Sequence, residues 1–374
     1  MKRLIFVMAV FCLPAAIMAQ ETFTVVKDNP ATSIKDQAMT NTCWCYSTIS
    51  VVEGECLEKT KKEVNLSEMY IVRNIYIEKA KNYILRQGND RFDEGGMGHD
   101  AIRAIALYGA VPEEVYTGMK PGVKAPDHTA LVAPLKKYLD SLLKLKPPIP
   151  SDWLTGFTNM LDEQLNGFPF KTPDTFFDYQ GKQYTPKTFA RDVLKFNAND
   201  YAYFTSFTDK PYNEFMVINV PDNFANGQYF NVPLKDLVDI AEKAVSKGHH
   251  FLWDADVSNA GFSSRDGYGL FIDEKLTAPV DFDVTEKTYS PELRQQLFEN
   301  LVTQDDHLMD ITGIVTTDKG KKLFKVKNSW GERGPYKGYW YVSMSYFAIN
   351  TISIVVPKSA LDLETKVKYK VSTF

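Results

Sequence analysis

Long apolar runs are scarce in this chain. Beyond the first twenty residues no stretch could span a bilayer, which excludes a polytopic membrane protein. An excess of positive charge is also missing: 43 Lys and Arg face 47 Asp and Glu for a net charge of −4. Nothing electrostatic therefore marks nucleic acid or an anionic membrane surface as the main partner. Internal repeats and low-complexity tracts are absent, so a collagen, a long coiled coil or a disordered tail protein is excluded as well. Cysteine is rare, with four in 374 residues, and histidine numbers five. What is present, 44% apolar and 13% aromatic residues, is the profile of a folded globular protein. The length is enough for one large domain or two smaller ones.

The first residues are of a different kind. Lys2 and Arg3 precede an apolar run from Leu4 to Ala19, broken by Pro14 and ending in the small residues Ala15, Ala16 and Ala19. Residues 1–19 read as a secretory signal cleaved after Ala19 or close by. The run is too short for a spanning helix, which needs roughly 18 residues or more. Phe11 before Cys12 does not suit a lipoprotein cleavage site. The mature chain, 20–374, is expected outside the cytoplasm, in a periplasm or secreted, with no stable membrane insertion.

Cys43, Cys45 and Cys56 remain after that cleavage. From Cys43 to about Lys59 the sequence is largely apolar and ends in Lys59, Lys61 and Lys62, which fits a mostly buried helix with cations at its C-terminal end. At about 1.5 Å rise per residue, Cys56 lies roughly 16 to 20 Å from the other two, beyond the limit of about 7 Å for a disulfide. Cys43 and Cys45 point about 200° apart around the helix. All three thiols are predicted free, and a free thiol in an oxidising compartment calls for a reason. Chemistry is one.

Ser67 and Glu68 open a second helix that stops at Gly88, and Asp100 caps a short helix from Ala101 to Tyr108 that closes at Gly109. This makes a helical lobe of about 35–116. Residues 117–153 hold six prolines around one helix, with Pro134 in its first turn, and 150–250 carries a helix near Leu234 to Lys247. The range of about 117–245 reads as an insertion. Short β-branched and aromatic runs then follow at 251–257, 308–316, 322–327, 339–344 and 352–356, expected as antiparallel strands of a β lobe from about 246 to 374. The fold class is α+β, with a cleft between two lobes as the place for a site.

A thiol attacks as thiolate, and a helix N-terminus beside an imidazolium lowers its pKa. Cys43 opens its helix, so it alone gains the full benefit of the unpaired N–H groups there. Among the histidines, His307 heads a strand that turns near Asp318-Lys319-Gly320 into a second strand ending at Asn328. If the turn falls between Thr317 and Asp318, His307 pairs with Asn328; a turn centred on Lys319 pairs it with Gly331. In the first register an amide sits where it can hold the imidazole tautomer and aim the other nitrogen at a thiol.

Gln37, then Cys43-Trp44, then His307, then Asn328-Ser329-Trp330-Gly331 resemble, in order, the segments of papain-like cysteine peptidases. Leu66-Ser67-Glu68, Gly95-Gly96, Tyr108-Gly109-Ala110-Val111-Pro112 and Lys337-Gly338-Tyr339 are similar to the bleomycin hydrolase and aminopeptidase C branch. The resemblance implies a papain-like two-lobe fold and an acyl-enzyme cysteine peptidase acting on peptides. It implies Cys43 as nucleophile, His307 as base, Asn328 as its orienting partner, and Gln37 as oxyanion donor together with the Cys43 N–H. Trp330 would shield the His307–Asn328 contact, and Gly95 and Gly96 would line the substrate cleft. Thr40-Asn41-Thr42 lacks the cysteine that papain ties into a disulfide. In that branch the C-terminal arm lies in the cleft and restricts the enzyme to aminopeptidase action. Here 366–371 alternates Lys with Val or Tyr and reads as a strand, leaving exo- or endo-cleavage open.

No cofactor and no metal is expected: His249 and His250 would point to opposite faces of a strand. His99 reads as a turn residue and His128 as solvated. Asp254 and Asp256 share a strand face, expected to be solvated or salt-bridged. The alternative function is a catalytically silent peptide-binding or scaffold protein of the same fold. Oligomeric state stays open.

Overall fold

The computed structural model describes residues 22–170, 172, 174–369 and 371. The expected signal, residues 1–19, lies outside the described residues. Strand β1 (Thr24–Asp28) leads into an extended segment and then α1 (Cys43–Thr60), whose residues are buried on every side through Cys56. With no polar stripe in its sequence, α1 belongs in an interior. Helix α2 (Glu68–Leu85) starts at the expected cap, Ser67 Oγ accepting from Tyr70 N at 3.1 Å. Helix α3 (Gly98–Tyr108) begins three residues before the expected Ala101, because Asp100 sits at its third position and accepts from Met97 N at 3.0 Å.

The middle of the chain contributes to both lobes. Helices α4 (Val132–Leu143) and α5 (Trp153–Gln164), the hairpin β2 (Phe177–Tyr179) and β3 (Lys182–Tyr184), and α6 (Pro186–Asp192) extend the helical side. Leu135, Leu139, Phe157, Leu161 and Phe189 share one core with Ile49 and Ile75. Strands β4 (Tyr201–Thr205), β5 (Glu214–Val217) and β6 (Gln228–Asn231) instead join the main sheet, followed by α7 (Leu234–Ser246).

The expected C-terminal strands all form: β7 (Phe251–Ala255), β10 (His307–Thr316), β11 (Lys322–Lys327), β12 (Tyr339–Ser343) and β13 (Thr351–Pro357). Short β8 (Phe262–Ser263) and β9 (Tyr268–Gly269), with helices α8 (Pro291–Glu299), α9 (Met344–Asn350) and α10 (Leu363–Lys368), complete the described elements. The sheet runs β5-β6-β4-β13-β7-β10-β11-β12-β9-β8, with β1 also on β10. It is parallel only at β4/β6 and β9/β12. Leu252 and Leu308 face the α1 core, while Phe251, Trp253 and Met309 face the α7 core. Strand β10 is therefore covered on both faces, and its apolar run is nearly continuous rather than alternating.

That double cover overturns one expectation. Asp254 and Asp256 are 1% and 0% exposed, neither solvated nor on a surface ion pair. Asp256 instead accepts from the backbone of Ser258, Asn259 and Gln304. His128 is buried too, 3.4 Å from Glu94 and packed edge-on against Tyr76. Of the Lys-alternating tail, residues 366–368 are helical, not a strand. Asp362 caps α10 by accepting from Thr365 N at 2.8 Å, and a cap outweighs three alternating lysines. Tyr369 then packs on Phe204 and Phe230, and Lys368 pairs with Asp236 of α7. The described tail thus lies on the α7 face of the sheet.

Glu53 ties the helical lobe to the segment ahead of α1. It is fully buried and accepts from Thr32 Oγ1, Lys35 Nζ and Leu66 N, each at 2.8 Å. Glu53→Ala leaves the buried Leu66 amide without its acceptor and takes from Lys35 one of its two carboxylates, a loss of roughly 1 to 3 kcal/mol. We expect a melting temperature several degrees lower, read by circular dichroism; an unchanged melting curve would contradict this account of the lobe junction.

Candidate active site

Three pieces of chain meet at the junction between lobes. The first is the extended segment before α1. Lys35 Nζ donates to Glu53, Glu68 and the Leu66 carbonyl at 2.6–3.0 Å, and the two carboxylates hold its pKa above the usual lysine range despite burial. This anchors Lys35, and the next residues are stitched to the second piece, the end of β11. Gln37 N donates to Ser329 O at 2.8 Å, Gly331 N donates to Lys35 O at 3.0 Å, and Ser329 Oγ donates to Gln37 Oε1 at 2.7 Å. Gln37 Nε2 donates to Thr40 O at 2.7 Å. The amide of Gln37 is thus fixed at both ends, with one Nε2 hydrogen left over.

Cys43 follows six residues later as the first residue of α1. Thr42 makes no side-chain cap: its Oγ1 is engaged with Thr40 Oγ1 at 2.7 Å. The first N–H groups of the helix, Cys43 N–H among them, have no carbonyl one turn earlier to bond. Cys43 is 8% exposed, and all three thiols are free, as the helix geometry requires. Cys45 and Cys56 are 0% exposed. One turn into α1, Ser47 Oγ donates to Leu308 O at 2.6 Å, which docks the helix onto β10 beside His307.

His307 Nε2 and Asn328 Oδ1 are 2.7 Å apart. The hairpin that brings them together is not in the first of the two registers. Gly313 pairs with Lys325, which centres the turn on Lys319, and a bulge at Thr312 then shifts the ladder so that Asp310 pairs with Lys327. Continued, that register sets Asn328 opposite Met309, so the amide reaches His307 along a diagonal. Trp330 lies over the imidazole, ring centroids 4.6 Å apart, and stacks edge-on against Trp340. Burial pushes the His307 pKa down to about 4, the Asn328 bond working weakly the other way. Burial pushes the Cys43 thiol up to about 12. Burial thus disfavours each charge, thiolate and imidazolium alike, when it forms alone.

Cys43, His307, Gln37, Trp330 and Gly95 all border one cleft of about 580 Å³. Asn328 stands behind His307. Gly96 is buried against the Trp44 ring, where a Cβ would come within 3.0 Å of ring carbons, and Trp44 Nε1 donates to Glu94 O at 2.9 Å. The two glycines therefore do different things: Gly96 allows close packing on α1, while Gly95 borders the cleft. The other histidines are elsewhere. His99 contacts Tyr229 Oη at 3.0 Å; His249 and His250 pair with Glu55 and Asp310. Among the described residues no group of three or more His, Cys, Asp or Glu could hold a metal ion.

The cleft also carries carboxylates that had no part in the expected site: Asp93, Glu94, Asp222, Asp305 and Asp306. Asp305-Asp306 stood in plain view directly before His307. Asp222 comes from the stretch 150–250, where no pattern linked it to the other residues.

Residues 157–373 match the Peptidase C1-like family, and residues 19–119 match the papain family of cysteine proteases. Aminopeptidase G of Lactobacillus delbrueckii subsp. lactis is 26% identical over 375 residues, covering 89% of this chain and 82% of that protein. Aminopeptidase C of Lactococcus lactis subsp. cremoris is 24% identical over 401 residues, covering 95% and 86%. The crystal structure of PepW from Lactobacillus rhamnosis HN001 superposes with a TM-score of 0.71 at 21% identity, over 93% of this chain and 84% of that one.

Proposed function

The chain belongs to the Peptidase C1-like family, and on that premise we propose that this cysteine peptidase works through Cys43, His307 and Asn328 and removes residues from the free N-termini of peptides outside the cytoplasm. The observation that carries the proposal is the shared cleft: a thiol at a helix N-terminus and an amide-tethered imidazole open onto the same space. The relatives named as aminopeptidases support the direction of cleavage. The sequence of residues 1–19 supports export.

In the proposed cycle, the Cys43 thiol passes its proton to His307 and the sulfur attacks the scissile carbonyl. The carbonyl oxygen becomes an oxyanion held by the free Nε2 hydrogen of Gln37 and by Cys43 N–H. His307 then gives its proton to the leaving amine, and a thioester to Cys43 remains. Water, deprotonated by His307, hydrolyses that thioester; the acid is released and the thiol is restored. Asn328 accepts from His307 Nε2–H throughout, so Nδ1 is the nitrogen that exchanges the proton.

Iodoacetamide should alkylate Cys43 ahead of Cys45 and Cys56, with loss of hydrolysis in step, read by peptide mapping. Its pH dependence follows from the two shifts. Protonation of His307 removes the proton acceptor, and with its pKa lowered the acid limb falls between about pH 4 and 5 instead of near the ordinary 6.5. With the thiol raised, reactivity keeps climbing above pH 8.5. A limb near pH 6.5, or equal labelling of Cys45, would count against the pair.

A further inference from the structure

We propose that Asp222, backed by Asp305 and Asp254, is the specificity-determining group of the cleft: its carboxylate receives the α-ammonium of a peptide's first residue and blocks any chain continuing beyond it. This deepens the peptidase reading and rests on it.

A Cβ on Gly95 would lie 2.0–2.4 Å from the Asp222 carboxyl group, so the carboxylate fills the space that the missing side chain leaves. That space borders the same cleft as Cys43 and His307. A substrate backbone drawn along the Gly95 edge would run into this carboxylate just upstream of the nucleophile. There a chain ending in an ammonium gains an ion pair, and a chain ending in an amide meets an unpaired acceptor.

Charge balance points the same way. Five carboxylates, Asp93, Glu94, Asp222, Asp305 and Asp306, line the cleft against one cation, Arg91. Asp93 is held by Lys79 and Arg91, and Glu94 accepts from Asn41 N at 2.9 Å. Arg91 is 3.5 Å from Asp222 Oδ1, yet that buried oxygen receives no hydrogen bond. Close by, Asp254 is 1% exposed and accepts from Ser353 Oγ at 3.0 Å through Oδ2, and its only other partner among the described residues is the Asp305 carboxyl. Burial raises all three acids, Asp254 to about 7; Asp222 also repels Asp254 and Asp305, which hydrogen-bond to each other, and is itself repelled by Asp93 and Asp100. An arriving ammonium relieves that repulsion. Tyr369, in the described part of the tail, packs on Phe204 and Phe230 on the α7 side of the sheet.

The test compares the alkylation of Cys43 by a single-residue chloromethyl ketone carrying a free amine with alkylation by its N-acetyl form, in wild type, D222N and D222A. Rates of hydrolysis are followed on the matching free and N-acylated coumarin amides. Each readout is a ratio of two rates on one sample, so partial unfolding cancels. The free form should label wild type about 50-fold faster or more, and D222N should collapse that preference about 30-fold or more. D222A, which also opens the track, should gain hydrolysis of N-acylated dipeptide amides. An unchanged ratio in D222N overturns the proposal. So does a wild type that prefers N-acylated substrates with Lys or Arg next to the cleaved residue, for the acids would then read a side chain. If labelling keeps its preference while neither amide is hydrolysed, the peptidase reading fails and the ammonium site stands.

Discussion

Cys43→Ala is expected to lower kcat/KM on any peptide amide by roughly 10⁴- to 10⁶-fold, the range seen when the nucleophile of a cooperating set is removed. The size follows from the mechanism. Without sulfur no acyl-enzyme forms, and only binding and the Gln37 and backbone donors remain to assist attack by water. The fold should hardly notice, because the side chain is at the cleft edge and loses one atom; a melting temperature within a few degrees of wild type is the control. Initial rates on a fluorogenic amide, with wild-type contamination excluded by titration, decide the matter. A variant retaining more than about 1% of wild-type activity would place the nucleophile elsewhere, and one matching an inert wild type would favour the silent scaffold.

His307→Ala should cost nearly as much, roughly 10³- to 10⁵-fold in kcat/KM, because the imidazole serves in both half-reactions. It takes the thiol proton during attack and returns it to the leaving amine; without it the thiol stays raised by burial and the amine must leave as an anion. Two readouts separate this role from a packing role. Alkylation of Cys43 should slow in step with hydrolysis and lose its acid limb, since the titrating group is gone. Added imidazole should restore part of the rate by entering the space the ring vacates. A variant that is inactive yet alkylates like wild type would show that His307 is a structural contact.

These expectations were largely readable in one dimension, and the reason is local. A capping Ser67, an interior helix without a polar stripe, and five β-branched runs each carry their own signal within a few residues. Cys43 at a helix start and His307 at a strand start are consequences of where those elements begin. Other features lack a local signal. The hairpin register depended on a one-residue bulge at Thr312, which no turn motif announces. Asp254 and Asp256 looked like a wet face because alternation does not report whether a second layer covers the sheet. The tail looked like a strand because three alternating lysines outvoted one capping aspartate.

By itself the sequence determined most helices and strands, the free thiols and a candidate set of residues for acyl transfer, since each depends on propensity, spacing or chemical identity within a short window. The tertiary structure alone decided what stands around them. Folding brings Asp222, well over a hundred residues from Gly95, into the void that a glycine leaves, and buries Asp254. Whether a carboxylate is solvated or trapped, and whether it faces the nucleophile, depends on which distant surfaces cover it. That is a property of packing, which burial and dielectric turn into charge selectivity.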